Sequence, residues 1–84
     1  MTANQAGQPK GWREDRYRAL IEKLIDERKQ KGMSQQQLAG LLGRQQHFIS
    51  RNETGERRLD VAEFADVATA LGLSPSALVG EIWG

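Results

Sequence analysis

Between Arg13 and Lys31 the apolar residues Tyr17, Leu20, Ile21, Leu24 and Ile25 recur at three- and four-residue steps, the period that lines one face of an amphipathic helix. The stripe then meets Arg28, and Gly32 is suited to close the helix in a left-handed cap. Ser34 opens a second element. It is a helix-capping residue, Gln37 three positions later completes a capping box, and Met33 is the apolar residue just before it. Leu38, Ala39, Leu41 and Leu42 are expected on the buried face of this helix, and Gly43 is expected to stop it. A third helix is expected over 45–53, carrying Phe48 and Ile49. Thr54 and Gly55 end it, and Glu56 to Leu59 reads as a charged loop. Asp60 caps a fourth helix whose inner face is expected to hold Val61, Phe64, Ala65, Ala68 and Leu71, with Gly72 closing it. Ser74 followed by Pro75 starts a short fifth helix bearing Leu78, Val79 and Ile82. No stretch alternates with the period of a strand, and no internal repeat is seen. The expectation is an all-α, five-helix domain over 13–84, preceded by a polar, disordered arm over 1–12.

Composition narrows the possible chemistry. At 84 residues the chain supports one small core and no cleft between two domains. With no cysteine, disulfides, thiol catalysis and cysteine metal sites are excluded. His47 is the only histidine, so no metal site is expected, and no cofactor either. No apolar run is long enough for a membrane span, and the polar start has no signal-peptide character. A cytoplasmic, nucleoid-associated protein is expected. No paired-carboxylate, nucleophile–base or phosphate-loop arrangement points to an enzyme.

The net charge of +1 conceals an uneven distribution. Residues 28–58 carry seven basic groups against Glu53 and Glu56, whereas residues 59–84 carry four acidic groups and no base. A basic middle segment is the footprint of a polyanion partner, although a merely solvated face would look similar. The third helix adds chemistry to that charge. With Ile49 turned to the core, Gln45, Gln46, His47, Ser50 and Arg51 face outward. These are amides, an imidazole, a hydroxyl and a guanidinium, not the Glu/Lys pairs of an ordinary solvated helix, and they are groups that hydrogen-bond to base edges.

Gly32-Met33-Ser34-Gln35-Gln36-Gln37-Leu38-Ala39, then Gly43, Ile49-Ser50-Arg51, Glu53 and Gly55, and finally Leu71-Gly72-Leu73-Ser74, resemble the Cro/phage-repressor helix-turn-helix family, the Xre-like regulators. The likeness spans residues 17–80 and places the helix-turn-helix at 34–52. It implies a lambda-repressor-like fold and a sequence-specific regulator of transcription, a repressor acting as a homodimer on double-stranded DNA. Gln35 would hold a phosphate. Gln45 would contact phosphate or base. Gln46, His47 and Arg51 would read bases, with Arg44 and Ser50 beside them. Thr54, Arg57 and Arg58 would approach the next phosphates, unless the two arginines are simply solvated. Arg28 and Glu53 match a partly buried ion pair that joins the first and third helices. Phe48 is read as packing in preference to a thymine-methyl contact. Leu78, Val79, Ile82 and Trp83 are the candidate dimer surface, with packing of the fifth helix on the core as the alternative. An alternative function is an antitoxin or co-regulator that holds a protein partner.

Asn52 departs from the family pattern, which places an apolar or aromatic residue there. A buried amide without partners would cost about 1–3 kcal/mol. Either Asn52 lies hydrated at an edge, or the fold is locally weak, or the residue is a substitution; the expectation is that Asn52→Tyr raises the melting temperature.

Overall fold

The computed structural model describes residues 10–84, with side chains from Asp15 onward. Five helices follow one another: α1 (Lys10–Gln30), α2 (Gln35–Leu41), α3 (Gln46–Thr54), α4 (Val61–Ala70) and α5 (Pro75–Trp83). There is no strand among the described residues. Helix α1 begins three residues before the expected Arg13, so residues 10–12 are helical. The rest of the expected arm, and the side chain of Trp12, lie outside the described residues.

The caps form where the sequence supplies them. The Ser34 hydroxyl accepts from the Gln37 N–H, and the Gln37 side chain accepts from the Ser34 N–H. Asp60 and Glu63 repeat this box at α4, and Ser74 caps α5 ahead of Pro75. The turn between α2 and α3 depends on Gly43, which sits at φ +67°, a conformation that side-chain-bearing residues rarely adopt. There the Arg44 N–H reaches back to the Ala39 carbonyl at 2.9 Å. This closure lets the chain reverse within four residues and start α3 at once.

One core lies among all five helices. Helix α1 contributes Leu20, Ile21, Leu24 and Ile25, α2 Leu38 and Ala39, and α3 Phe48 and Ile49; Phe64, Val67, Ala68, Leu71 and Leu78 complete it. Ala39 is 1% exposed, and its small side chain allows α2 and α3 to pack closely. Three expectations about this core are corrected. Leu41 is 63% exposed, because at 3.6 residues per turn it points about 110° from the direction shared by Leu38, Ala39 and Leu42. Val61 is 84% exposed: it is the first residue of α4, so its side chain projects past the helix end instead of onto a neighbouring turn. Val67 takes the inner position. Leu78, expected at a dimer surface, is a core residue at 5% exposure.

Candidate nucleic-acid interface

Helix α3 turns Phe48, Ile49 and Asn52 inward. The opposite face presents Gln46, His47 and Arg51 to solvent, with Ser50 half-buried beside them. The Ser50 hydroxyl donates to the His47 carbonyl at 3.3 Å, which ties it to its own helix. The side chains of His47 and Arg51 make no hydrogen bond or ion pair within the described residues, so both remain available to a partner.

The start of α3 is open. Gln45 is its N-cap, in extended conformation, and makes no side-chain capping bond. It therefore precedes the helix, whereas the pattern had made it the first helical residue. The Phe48 N–H donates to the Gln45 carbonyl at 3.0 Å, but no side chain caps the first turn, and uncapped N–H donors at a helix start suit an anion. Gln35 stands close by in the first turn of α2. Its Nε2 donates to Glu53 Oε1 at 2.8 Å, and its Oε1 accepts from Gln46 Nε2 at 3.3 Å. The expected phosphate contact at Gln35 is thus bonded to the expected reader Gln46, so the two side chains are positioned together.

The other end of α3 is gripped by α1. Arg28, 8% exposed, donates from Nε to Glu53 Oε2 at 2.7 Å and from Nη2 to Glu53 Oε1 at 3.0 Å. Its Nη1 donates to the Met33 carbonyl at 2.8 Å. This two-pronged geometry is the strong form of an arginine–carboxylate pair. Arg18, one face-length earlier on α1, donates from Nη1 to the Glu53 carbonyl at 2.6 Å. It places a cation on the carbonyl end of α3, where the helix dipole favours one. Arg18 was not singled out from the sequence, because a pairing across 35 positions leaves no local signal. Gly55, at φ +92°, ends the helix.

Asn52 is buried at 4% exposure, not hydrated at an edge. Its Nδ2 donates to the Phe48 carbonyl, one turn back, while Oδ1 has no partner. A cavity of about 20 Å³ adjoins it, walled by apolar residues including Ile21, Leu38 and Val67. That space is large enough for a small increase in side-chain volume but too small for a tyrosine ring. The expectation for Asn52→Tyr is revised accordingly.

The arginines around α3 are not all alike. Arg44 stacks over Phe48 with its guanidinium carbon 4.2 Å from the ring centroid, and Arg57 lies 5.1 Å from the same ring. Phe48 itself is buried, which agrees with a packing role. Both Arg57 terminal nitrogens go to Glu63, at 2.9 and 2.7 Å, so Arg57 is an ion-pairing residue in the free chain. The Glu63 carboxyl is pushed down from 4.5 to about 2, first by the Arg57 side-chain bond and then by the Asp60 backbone N–H. Arg58 lies 4.6 Å from the Tyr17 ring centroid, and the Tyr17 hydroxyl accepts from the Leu59 N–H at 3.0 Å. The Thr54 hydroxyl donates to the Arg51 carbonyl at 3.1 Å.

A separate face carries the exposed Val61, Val79 and Trp83. Tyr17, Phe64, Ala65, Pro75, Val79 and Trp83 line a groove between α1, α4 and α5. Of the four residues expected at a dimer surface, Val79 and Trp83 are exposed, Ile82 is half-buried and Leu78 is core. None of the groove residues belongs to α2 or α3. Among the described residues no group of side chains is arranged to hold a metal ion, and no helix is long and apolar enough to cross a membrane.

The comparisons agree with this geometry. A family model described as a helix-turn-helix domain matches residues 10–79. A solved structure described as an XRE-family like protein from Pseudomonas syringae pv. tomato str. DC3000 superposes with a TM-score of 0.84 at 42% identity, covering 88% of this chain and 90% of that one. A search of curated protein sequences returns no match. With a family model spanning most of its length and a well-covered XRE-family relative, this chain belongs to the XRE-like helix-turn-helix family of DNA-binding regulators.

Proposed function

We propose that the chain is a transcriptional repressor that binds a palindromic operator as a homodimer and acts by binding alone, without catalysis. The observation that carries this reading is the outward row on α3. His47 and Arg51 are exposed and make no side-chain bond within the described residues, beside Gln46, which is held by Gln35. Arg51 would hydrogen-bond to a guanine edge, and Gln46 to an adenine or a neighbouring phosphate. Gln35, Gln45, Arg44, Thr54 and Arg58 would set the register on the backbone and supply a salt-dependent affinity.

A single short helix reads too few base pairs to discriminate well, which favours two copies on half-sites about 34 Å apart. The groove that ends in Val79 and Trp83 supports such pairing. It lies off the reading helices, and Val61 projects from its edge as an apolar knob for the same groove of a second copy. Selection of bound duplexes from a random pool tests the reading. The expected result is an enriched inverted repeat with half-sites about ten base pairs apart. Enrichment of a single asymmetric site would overturn the dimer, and no enrichment would overturn sequence-specific binding. A second reading, supported by the same groove, is an antitoxin or co-regulator that seats a protein partner there. A monomer that co-purifies with a stoichiometric partner and retards no duplex at low salt would favour it.

A further inference from the structure

Glu63 has no part in the reading just given, yet it ties together two segments beside α3. It lies in the first turn of α4 with its side chain 11% exposed. Besides the two bonds from Arg57, its Oε2 is 3.5 Å from Arg44 Nη2, and its Oε1 accepts from the Asp60 N–H at 3.0 Å. Arg44 comes from the turn between α2 and α3, and Arg57 from the loop after α3. One carboxylate therefore holds both segments against the Phe48 ring. Arg44, Gln45, His47, Phe48, Arg51 and Arg57 line a concavity of about 340 Å³ beside the start of α3.

We propose that Glu63 is a positioning residue for DNA binding: it fixes Arg44 and Arg57 on Phe48 so that this cleft receives a backbone phosphate on the outward edge of Arg44. The proposal rests on the DNA-binding reading. Arg44, Arg51 and Arg57 line the cleft and no carboxylate does, so its lining is cationic. Arg57 spends both terminal nitrogens on Glu63 and acts as the brace. Arg44 touches Glu63 only through the long Nη2 contact, which leaves its Nε and Nη1 donors for an anion. Stacking on Phe48 holds that guanidinium flat, so a phosphate meets donors already in place. The Glu63 carboxyl, held near 2, stays ionised at any pH at which the chain would meet DNA.

Glu63→Gln separates this role from a simple charge effect. Glutamine can still accept from the Asp60 N–H, which keeps the capping box, but it loses the charge-assisted fork. The substitution raises the net charge from +1 to +2, so long-range electrostatics alone would tighten binding to any duplex. Positioning requires the opposite. By fluorescence anisotropy on a random-sequence duplex of about 20 base pairs, affinity should fall about three- to tenfold, and the slope of log K against log salt should shrink by about one phosphate contact. In an Arg44→Ala, Arg57→Ala background, Glu63→Gln should cause no further loss. Equal or tighter binding by Glu63→Gln overturns the proposal. So does an undiminished loss in the double-alanine background, which would mean that Glu63 acts through folding. If the unaltered protein binds no duplex at low salt, the DNA-binding reading itself fails and this proposal with it; binding by the unaltered protein that Glu63→Gln leaves intact sinks the proposal alone.

Discussion

The two ends of α3 are built in opposite ways. At the carbonyl end, Glu53 is held by Arg18 on its backbone oxygen and by Arg28 and Gln35 on its carboxylate, and Gly55 closes the helix. At the amide end, Gln45 provides no side-chain cap, and the surroundings are arginines, amides and solvent. A reading helix needs a fixed axis, which the gripped end supplies through α1. It also needs free donors, which would be consumed if the amide end were capped from within. On the proposed function, the contrast places stability at one end of the helix and binding at the other, and the following substitutions would break or sharpen that division.

The largest effect is expected from Arg28→Ala. It leaves the part-buried Glu53 carboxylate with Gln35 but no cation, and breaking such a pair costs about 3–5 kcal/mol. Urea denaturation should show a loss of that size; a loss no larger than that of an exposed pair would mean that the grip does not seat the helix. Arg51→Ala should leave urea stability unchanged and cost about 1–3 kcal/mol in binding to the selected operator, with little effect on random duplex. Equal losses on both DNAs would assign Arg51 to phosphate contact. Asn52→Leu, which removes the orphan Oδ1 and fills part of the adjoining cavity, should stabilise by about 1–2 kcal/mol and raise the melting temperature by several degrees. An unchanged melting temperature would show that the amide is satisfied in solution, for example by a buried water.

Smaller effects are expected at the open end and at the flank. Gln45→Asp supplies the missing cap and should add about 0.5–1 kcal/mol of stability, while weakening DNA binding because a carboxylate then stands where phosphate would approach. Tighter binding by this variant would show that the uncapped amides do not face DNA. The last prediction concerns acid. Because the folded Glu63 carboxyl titrates near 2 instead of 4.5, its contribution to stability is present above about 4.5 and is lost as pH falls toward 2. Over that window the urea midpoint of the unaltered protein should fall more steeply than that of Glu63→Gln, and parallel curves would show that the Arg57 fork adds no stability.

Much of this molecule was legible in its chain. The stripe from Tyr17 to Ile25, the Ser34–Gln37 box, Gly43 and the Ser74-Pro75 start are local signals, readable because helix period, capping and turn chemistry act over a few residues. The outward set Gln46, His47 and Arg51 followed from the same periodicity once Ile49 was placed inside. Errors arose where a rule about faces met the end of an element. Leu41 and Val61 are apolar and near the right register, but one lies off the shared direction of its short helix and the other has no preceding turn to cover.

What the chain alone determined is where α2, α4 and α5 start and which side of α3 is polar, since those choices are made by neighbours three or four positions apart. Only the tertiary structure decided how α3 is held. Arg18 meets Glu53 across 35 positions, Arg57 and Arg44 converge on Glu63, and Asn52 is sealed in the core with one oxygen unpaired. Those pairings depend on how five helices pack, and the long arginine side chains could have reached other acceptors until packing fixed which carboxylates lie within a hydrogen bond.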